Sequence, residues 1–130
     1  GVVALVIMLK ITSGPALHDM TVNMTVYGGS YSYYYDDGTC GSGLSGYADV
    51  SQGSSVVVEG DAGQTLGVSS LTADDYYDSG TCTYTAVVED VPDDQAFYSV
   101  AVGGANRGSV EYSKTTLEAS EWTVSLTLGD

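Results

Sequence analysis

The chain has 130 residues, of which 17 are acidic and only three are basic, so its formal net charge is −14. This length fits one domain. Binding to nucleic acid or to anionic lipid through surface charge is excluded, because phosphate groups are bound by lysine and arginine and the chain has only Lys10, Arg107 and Lys114.

An apolar run, GVVALVIML, occupies residues 1–9. Crossing a bilayer takes about 20 residues, so this run is too short to span one by itself. It is the outer end of a transmembrane helix or signal segment, a strand of the domain, or a strand that one subunit lends to its neighbour. We favour the membrane segment. Residues 1–12 are then the apolar N-terminal segment, residues 13–19 a linker and residues 20–130 an extracytoplasmic domain.

Short runs that alternate between apolar and polar residues predict strands over most of the remaining chain. The predicted strands are residues 21–27, 55–59, 64–71, 81–89, 96–102, 109–112 and 122–128. Turns rich in glycine, aspartate or proline separate them, as at residues 60–63 and 91–94. The pattern predicts an all-β sandwich of about seven strands. Thr115 and Glu118 fit a capping box, which predicts one short helical turn near residues 115–120.

The sequence YYDDGTC at residues 34–40 is nearly repeated as YYDSGTC at residues 76–82. Each copy places an Asp-x-Gly turn before a cysteine, and Cys40 and Cys82 are the only two cysteines. We predict a disulfide between them, which indicates an oxidising compartment outside the cytoplasm. Its loop of about forty residues corresponds to about 4 kcal/mol in the chain-entropy model. A zinc site or a catalytic cysteine is disfavoured, because His18 is the only histidine.

A disulfide between the two turns would bring their tyrosines together. Tyrosine suits a contact surface, since it buries a large area at small entropic cost and keeps a polar tip. The alternative is that these tyrosines pack over the edge of the sheet while the neighbouring aspartates hold the turns. The predicted interaction surface consists of Tyr33, Tyr34, Tyr35, Tyr76 and Tyr77.

Carboxylates at the second turn form a candidate calcium site, made of Asp74, Asp75 and Asp78, because calcium binds oxygen ligands. Asp36 and Asp37 of the first turn are the alternative. Neither set matches the spacing of an EF-hand, and adjacent carboxylates at a turn are commonly only solvated. No other metal and no cofactor is predicted. Nothing in the sequence marks the acid and base carboxylates of a glycosidase cleft. Any Ser-His-Asp set would have to use His18. We therefore predict no catalytic residues and no enzyme activity.

Two resemblances add to this interpretation. The order GSSVVVEGDAGQTLGVSSLTAD, CTYTAVVEDVPDDQAFYSVAVGG and WTVSLTL resembles the prealbumin-like sandwich of transthyretin and carboxypeptidase regulatory-like domains. This resemblance implies a prealbumin-like or Ig-like sandwich with a structural or adhesive role. The closing pattern YSK…LE…WxVxLxLGD resembles a group of uncharacterised actinobacterial proteins. They have an N-terminal transmembrane helix and one extracytoplasmic domain with two cysteines, which implies the same topology here.

These observations predict a non-enzymatic accessory or binding domain, tethered to the membrane and docked on a protein or complex of the cell envelope. The alternative is a self-assembling, pilus-like fibre subunit that uses residues 2–11 as its assembly element. A hydrolase that uses the clustered aspartates is a third possibility. The two leading hypotheses differ in one observable, since only the fibre subunit loses polymers when the N-terminal segment is removed.

Overall fold

Two four-stranded sheets pack face to face in the computed structural model, which confirms the predicted all-β sandwich. The structure describes residues 14–27, 33–34, 40–41, 50, 52–74, 81–103 and 108–128, with only the backbone of residues 33–34 and 40–41. Seven strands in these ranges have four or more residues, in agreement with the predicted number. The strands are β1 (Leu17–Tyr27), β2 (Tyr33–Tyr34), β3 (Cys40–Gly41), β4 (Ser55–Glu59), β5 (Thr65–Ser70), β6 (Thr72–Ala73), β7 (Thr81–Pro92), β8 (Phe97–Val102), β9 (Val110–Ser113) and β10 (Thr123–Leu128). A short helix, α1 (Lys114–Ala119), lies between β9 and β10.

Strand β1 lies at the centre of the first sheet. Sheet A has the order β10-β1-β7-β6, and sheet B has the order β5-β4-β8-β9. β1 is antiparallel to β7 and parallel to β10. β1 has 11 residues, so at a rise of about 3.3 Å per residue its ends lie about 33 Å apart. We call the end of sheet A at Leu17 the entry end and the end at Tyr27 the tyrosine end.

The core is built from alternate residues of the strands, as the periodicity predicts. β1 contributes Met20, Val22, Met24 and Val26, while β7 adds a matching row that begins at Cys82. Sheet B faces them with the inward residues of β4 and β8. The largest fully buried side chains are those of Tyr84, Tyr98, Met20, Leu71 and Leu117.

The boundaries of two predicted elements are wrong at the entry end. β1 begins at Leu17, so residues 17–19 of the predicted linker belong to the strand. The strand is longer because Leu17 and His18 pair with Pro92 and Val91. For the same reason β7 continues through Pro92, and the turn that was expected over residues 91–94 begins at Asp93.

The predicted helical turn is confirmed, but its predicted cap at Thr115 is wrong. The Ser113 hydroxyl caps α1 by accepting a hydrogen bond from the Thr116 N–H at 3.1 Å. After the helix, Glu121 and Trp122 both adopt left-handed backbone conformations, with φ of 55° and 61°. Trp122 therefore precedes β10, instead of starting it, and its side chain turns into the core, where it is 5% exposed.

Candidate functional site

Of the predicted interaction surface, the structure describes the backbone of Tyr33 and Tyr34 in β2, which begins six residues after Tyr27. β2 pairs with β3 so that Tyr34 lies opposite Cys40, and β2 lies beside β7. Tyr27, the last residue of β1, pairs with Thr81, the first residue of β7. The remaining predicted residues, Tyr35, Tyr76 and Tyr77, lie outside the described residues.

Tyr27 is a candidate surface residue that the sequence analysis did not select. Its side chain is 38% exposed. It continues the outward-facing series of Thr21, Asn23 and Thr25 along β1, so the alternation of the strand contained the signal.

The predicted disulfide remains a prediction. Cys82 is fully buried on the inward face of β7, opposite Val26 of β1. The side chain of Cys40 lies outside the described residues, although its backbone pairs with Tyr34 in the hairpin beside β7. β2 and β7 are thus neighbours in the fold, and the disulfide itself stays untested.

Of the three aspartates in the candidate calcium site, the structure describes Asp74 alone. Its carboxylate accepts a hydrogen bond from the Thr85 hydroxyl at 2.9 Å, and its N–H donates to the Thr83 carbonyl oxygen at 3.0 Å. These bonds fix the end of β6 on β7. Asp75 and Asp78 lie outside the described residues, so the calcium site stays untested. Among the described residues, no group of histidine, cysteine and acidic side chains is arranged to hold a metal ion.

At the entry end, aromatic rings join β1, β8 and the start of β10. The His18 ring stacks on Trp122, with centroids 4.4 Å apart and planes 7° apart. Trp122 also meets Tyr98 edge to face, at 5.3 Å and 84°. His18 Nε2 lies 3.3 Å from Asp93 Oδ2. The only histidine of the chain is thus held by stacking and by a carboxylate of the turn that follows β7.

The Tyr98 hydroxyl secures the same turn. It donates to the Pro92 carbonyl oxygen at 2.6 Å and accepts from the Gln95 N–H at 3.2 Å. Burial raises the pKa of the Tyr98 phenol above its ordinary value, and this effect outweighs the hydrogen bond from Gln95, which lowers the pKa. Burial also raises the pKa of Tyr112. Both phenols therefore stay protonated near neutral pH.

A second set of hydrogen bonds docks the β4–β5 turn onto the β7–β8 turn. Gln95 Oε1 accepts from the Asp61 N–H at 3.0 Å and from Gln64 Nε2 at 2.9 Å. Asp61 Oδ2 in return accepts from the Ala96 N–H at 3.1 Å. These side chains hold two turns together, so the polar residues at the entry end serve the fold.

Comparison with known proteins gave no relative, since no family model, no curated protein and no solved structure matches the chain. In the part of the chain that the structure describes, no helix has the length and apolar character needed to cross a membrane.

Proposed function

We propose that this protein is a non-enzymatic binding domain, tethered to the outer side of a membrane by its N-terminal segment and docked on an envelope protein through the tyrosine end. The observation that carries the proposal is the direction of β1. In the described part of the chain β1 begins at Leu17 and ends at Tyr27, at the opposite end of sheet A, and β2 begins six residues after Tyr27. A tether at the entry end would hold this tyrosine surface about 33 Å farther from the membrane, at about 3.3 Å per residue of β1.

Charge supports the same orientation. The net charge of −14 disfavours close approach of the domain to anionic headgroups. The same charge selects a partner with a neutral or basic surface, because complementary potentials speed the encounter and reject acidic partners. Exposed tyrosine, such as Tyr27, supplies contact area in such an interface.

The disulfide is part of this proposal. A bond between Cys40 and Cys82 would pin the β2–β3 hairpin onto β7 and hold the two repeated turns side by side. It would also require an oxidising compartment, in agreement with a domain outside the cytoplasm. The resemblance to membrane-anchored extracytoplasmic proteins supports the same location.

The test is co-purification from native membranes after mild cross-linking, with the full chain as bait. A specific envelope protein is expected to co-purify, and the yield should fall with Tyr27→Ala because this change removes an exposed aromatic ring at the tyrosine end. Phe97→Ala is the matched control, since Phe97 is 47% exposed but lies on β8 of the other sheet. Equal yields from both variants would contradict docking at the tyrosine end.

Negative-stain imaging distinguishes the fibre subunit from the tethered domain. The full chain is compared with a version that begins at Gly14, which keeps all of β1. Single particles from both agree with the tethered domain. Regular fibres that form from the full chain alone would replace the proposal with self-assembly through residues 2–11.

A further inference from the structure

The outer edge of β10 carries no neighbouring strand in the described part of the chain, because β10 is the last strand of sheet A. Its sequence, TVSLTL, contains no charged residue, no proline and no glycine. Edge strands usually carry such residues, or are bulged or very short, because an unprotected edge pairs with other chains. β10 has none of these protections.

The other described edges differ from β10. β6 has two residues and β9 has four, one of which is Glu111. β5 contains Gly67, and its pairing with β4 shifts register between Val58 and Glu59. Of the described edges, β10 is thus the one where an added strand would meet regular pairing geometry and uncharged side chains.

The pairing of β10 with β1 determines which backbone N–H and C=O groups of β10 face the open edge. The Thr21 N–H donates to the Trp122 carbonyl oxygen at 2.9 Å. In a parallel pair, alternate residues turn both backbone groups toward the partner strand. Val124 and Leu126 therefore bond to β1, whereas Ser125 and Thr127 direct N–H and C=O toward the open edge.

The side chains beside this edge also leave apolar surface incompletely covered. Leu126 and Leu128 point toward the core but are only partly buried. An added strand with apolar residues on its inward face would cover them. Its outward face would continue the row formed by Thr123, Ser125 and Thr127.

We propose that an extended segment of the protein partner binds by adding a fifth strand to sheet A along β10. This inference rests on the proposed docking function and describes the segment of the partner that docks. The added segment alternates apolar and uncharged polar residues and carries lysine or arginine at its flanks. The flanking positive charge follows from the exposed Glu118 and Glu121 before β10 and from the net charge of −14. The same charge makes a second copy of this chain a poor occupant, because two such copies repel each other.

The probe is a synthetic, dye-labelled peptide, Lys-Lys-Thr-Val-Thr-Val-Thr-Val-Lys-Lys, titrated with the full chain and followed by fluorescence anisotropy. Ser125→Pro removes an outward N–H without removing a bond to β1, and proline is tolerated on such edges. We expect it to weaken peptide binding about tenfold or more, because strand addition uses main-chain hydrogen bonds.

Ser70→Pro is the matched control on the open edge of β5. The Leu71 N–H donates to the Ser54 carbonyl oxygen, so the alternation directs the Ser70 N–H away from β4. This variant should bind the peptide as tightly as the unchanged chain. Circular dichroism checks that both variants fold, and Thr127→Pro takes the place of Ser125→Pro if the latter does not.

The inference is overturned if the unchanged chain does not bind the peptide, if both proline variants bind it equally, or if β10 pairs with a second copy of the chain. The same variants in the membrane co-purification separate the two proposals. If Ser125→Pro abolishes recovery of the membrane partner, both proposals are supported. If the partner is still recovered, the proposed docking function stands but the β10 edge is not its binding site. Peptide binding without any membrane partner would leave the edge site supported and the docking function contradicted.

Discussion

Trp122 holds three parts of the sandwich together through a backbone conformation that is unfavourable for a bulky residue. Its φ of 61° lies in the left-handed region, where a non-glycine residue costs about 1–3 kcal/mol. The Trp122 N–H donates to the Leu117 carbonyl oxygen at 2.7 Å, and its ring packs on His18 and Tyr98. These contacts offset the strain and fix the point where the helix turns into β10.

Tyr98→Phe should destabilise the fold. The change removes the hydroxyl partner of the Pro92 carbonyl and of the Gln95 N–H, and each lost hydrogen bond costs about 0.5–1.5 kcal/mol because both groups are partly buried. Urea unfolding at neutral pH measures the loss. Tyr112→Phe is the comparison, since Tyr112 is also an inward-facing tyrosine but is only partly buried. A smaller loss for Tyr98→Phe than for Tyr112→Phe would contradict the role assigned to the Tyr98 hydroxyl.

The raised pKa of Tyr98 predicts how stability changes in alkali. The folded phenol keeps its proton to a higher pH than the unfolded one, whose ordinary value is 10.0. Its contribution is therefore fully present below pH 10 and is lost as the pH rises above this value. The free energy of unfolding should fall above pH 10, and less steeply in Tyr98→Phe. An equally steep fall in both proteins would assign the effect to other groups.

Among the elements, β5 and β7 approach each other closely because β5 contains Gly67. A Cβ atom at this position would lie 2.5 Å from Val88 Cγ1. Gly67→Ala should therefore reduce the free energy of unfolding by about 1–3 kcal/mol, the usual effect of overpacking. Chemical denaturation measures the change.

A double-mutant cycle with Val88→Ala tests the cause. Val88→Ala opens space for the new methyl group, so the two changes should couple by about 0.5–3 kcal/mol. Gly14→Ala is a control, because a Cβ atom there meets nothing within 4 Å. Strict additivity of Gly67→Ala and Val88→Ala would show that the sheets do not meet at this point.

Periodicity predicted the strands well because each strand needs one buried face. Met24 in β1 and Tyr84 in β7 are core residues that alternation alone identifies. The helix cap was misplaced by two residues because Ser113 and Thr115 are chemically similar caps, and only the path of the chain selects Ser113.

The aromatic cluster at the entry end was not predictable from sequence. His18 and Asp93 are 75 positions apart, and nothing local indicates that they meet. The sequence also could not indicate that β10 lies at an edge, since TVSLTL suits a central strand equally well. Which strands become neighbours depends on long-range pairing, which short patterns do not encode.

For the whole molecule, charge predicts that salt stabilises the fold. The 17 acidic residues face only three basic ones, so the folded state repels itself. The Debye length falls from about 30 Å at 0.01 M salt to about 10 Å at 0.1 M, which screens this repulsion. The melting temperature should rise over this range at neutral pH. Near the isoelectric point of about 4.1 the rise should vanish, and a flat response at neutral pH would contradict the argument.

The parallel pairing of β1 and β10 determines how the domain responds to tension. The start of β1 and the end of β10 lie at opposite ends of these two neighbouring strands, which share six registered residue pairs. Pulling apart Leu17 and Leu128 would slide one strand along the other, so all of the connecting hydrogen bonds are stretched together instead of opening one at a time. β7 adds ten further pairs on the other side of β1. The pairing of β1 with both neighbours thus resists extension between Leu17 and Leu128 in shear.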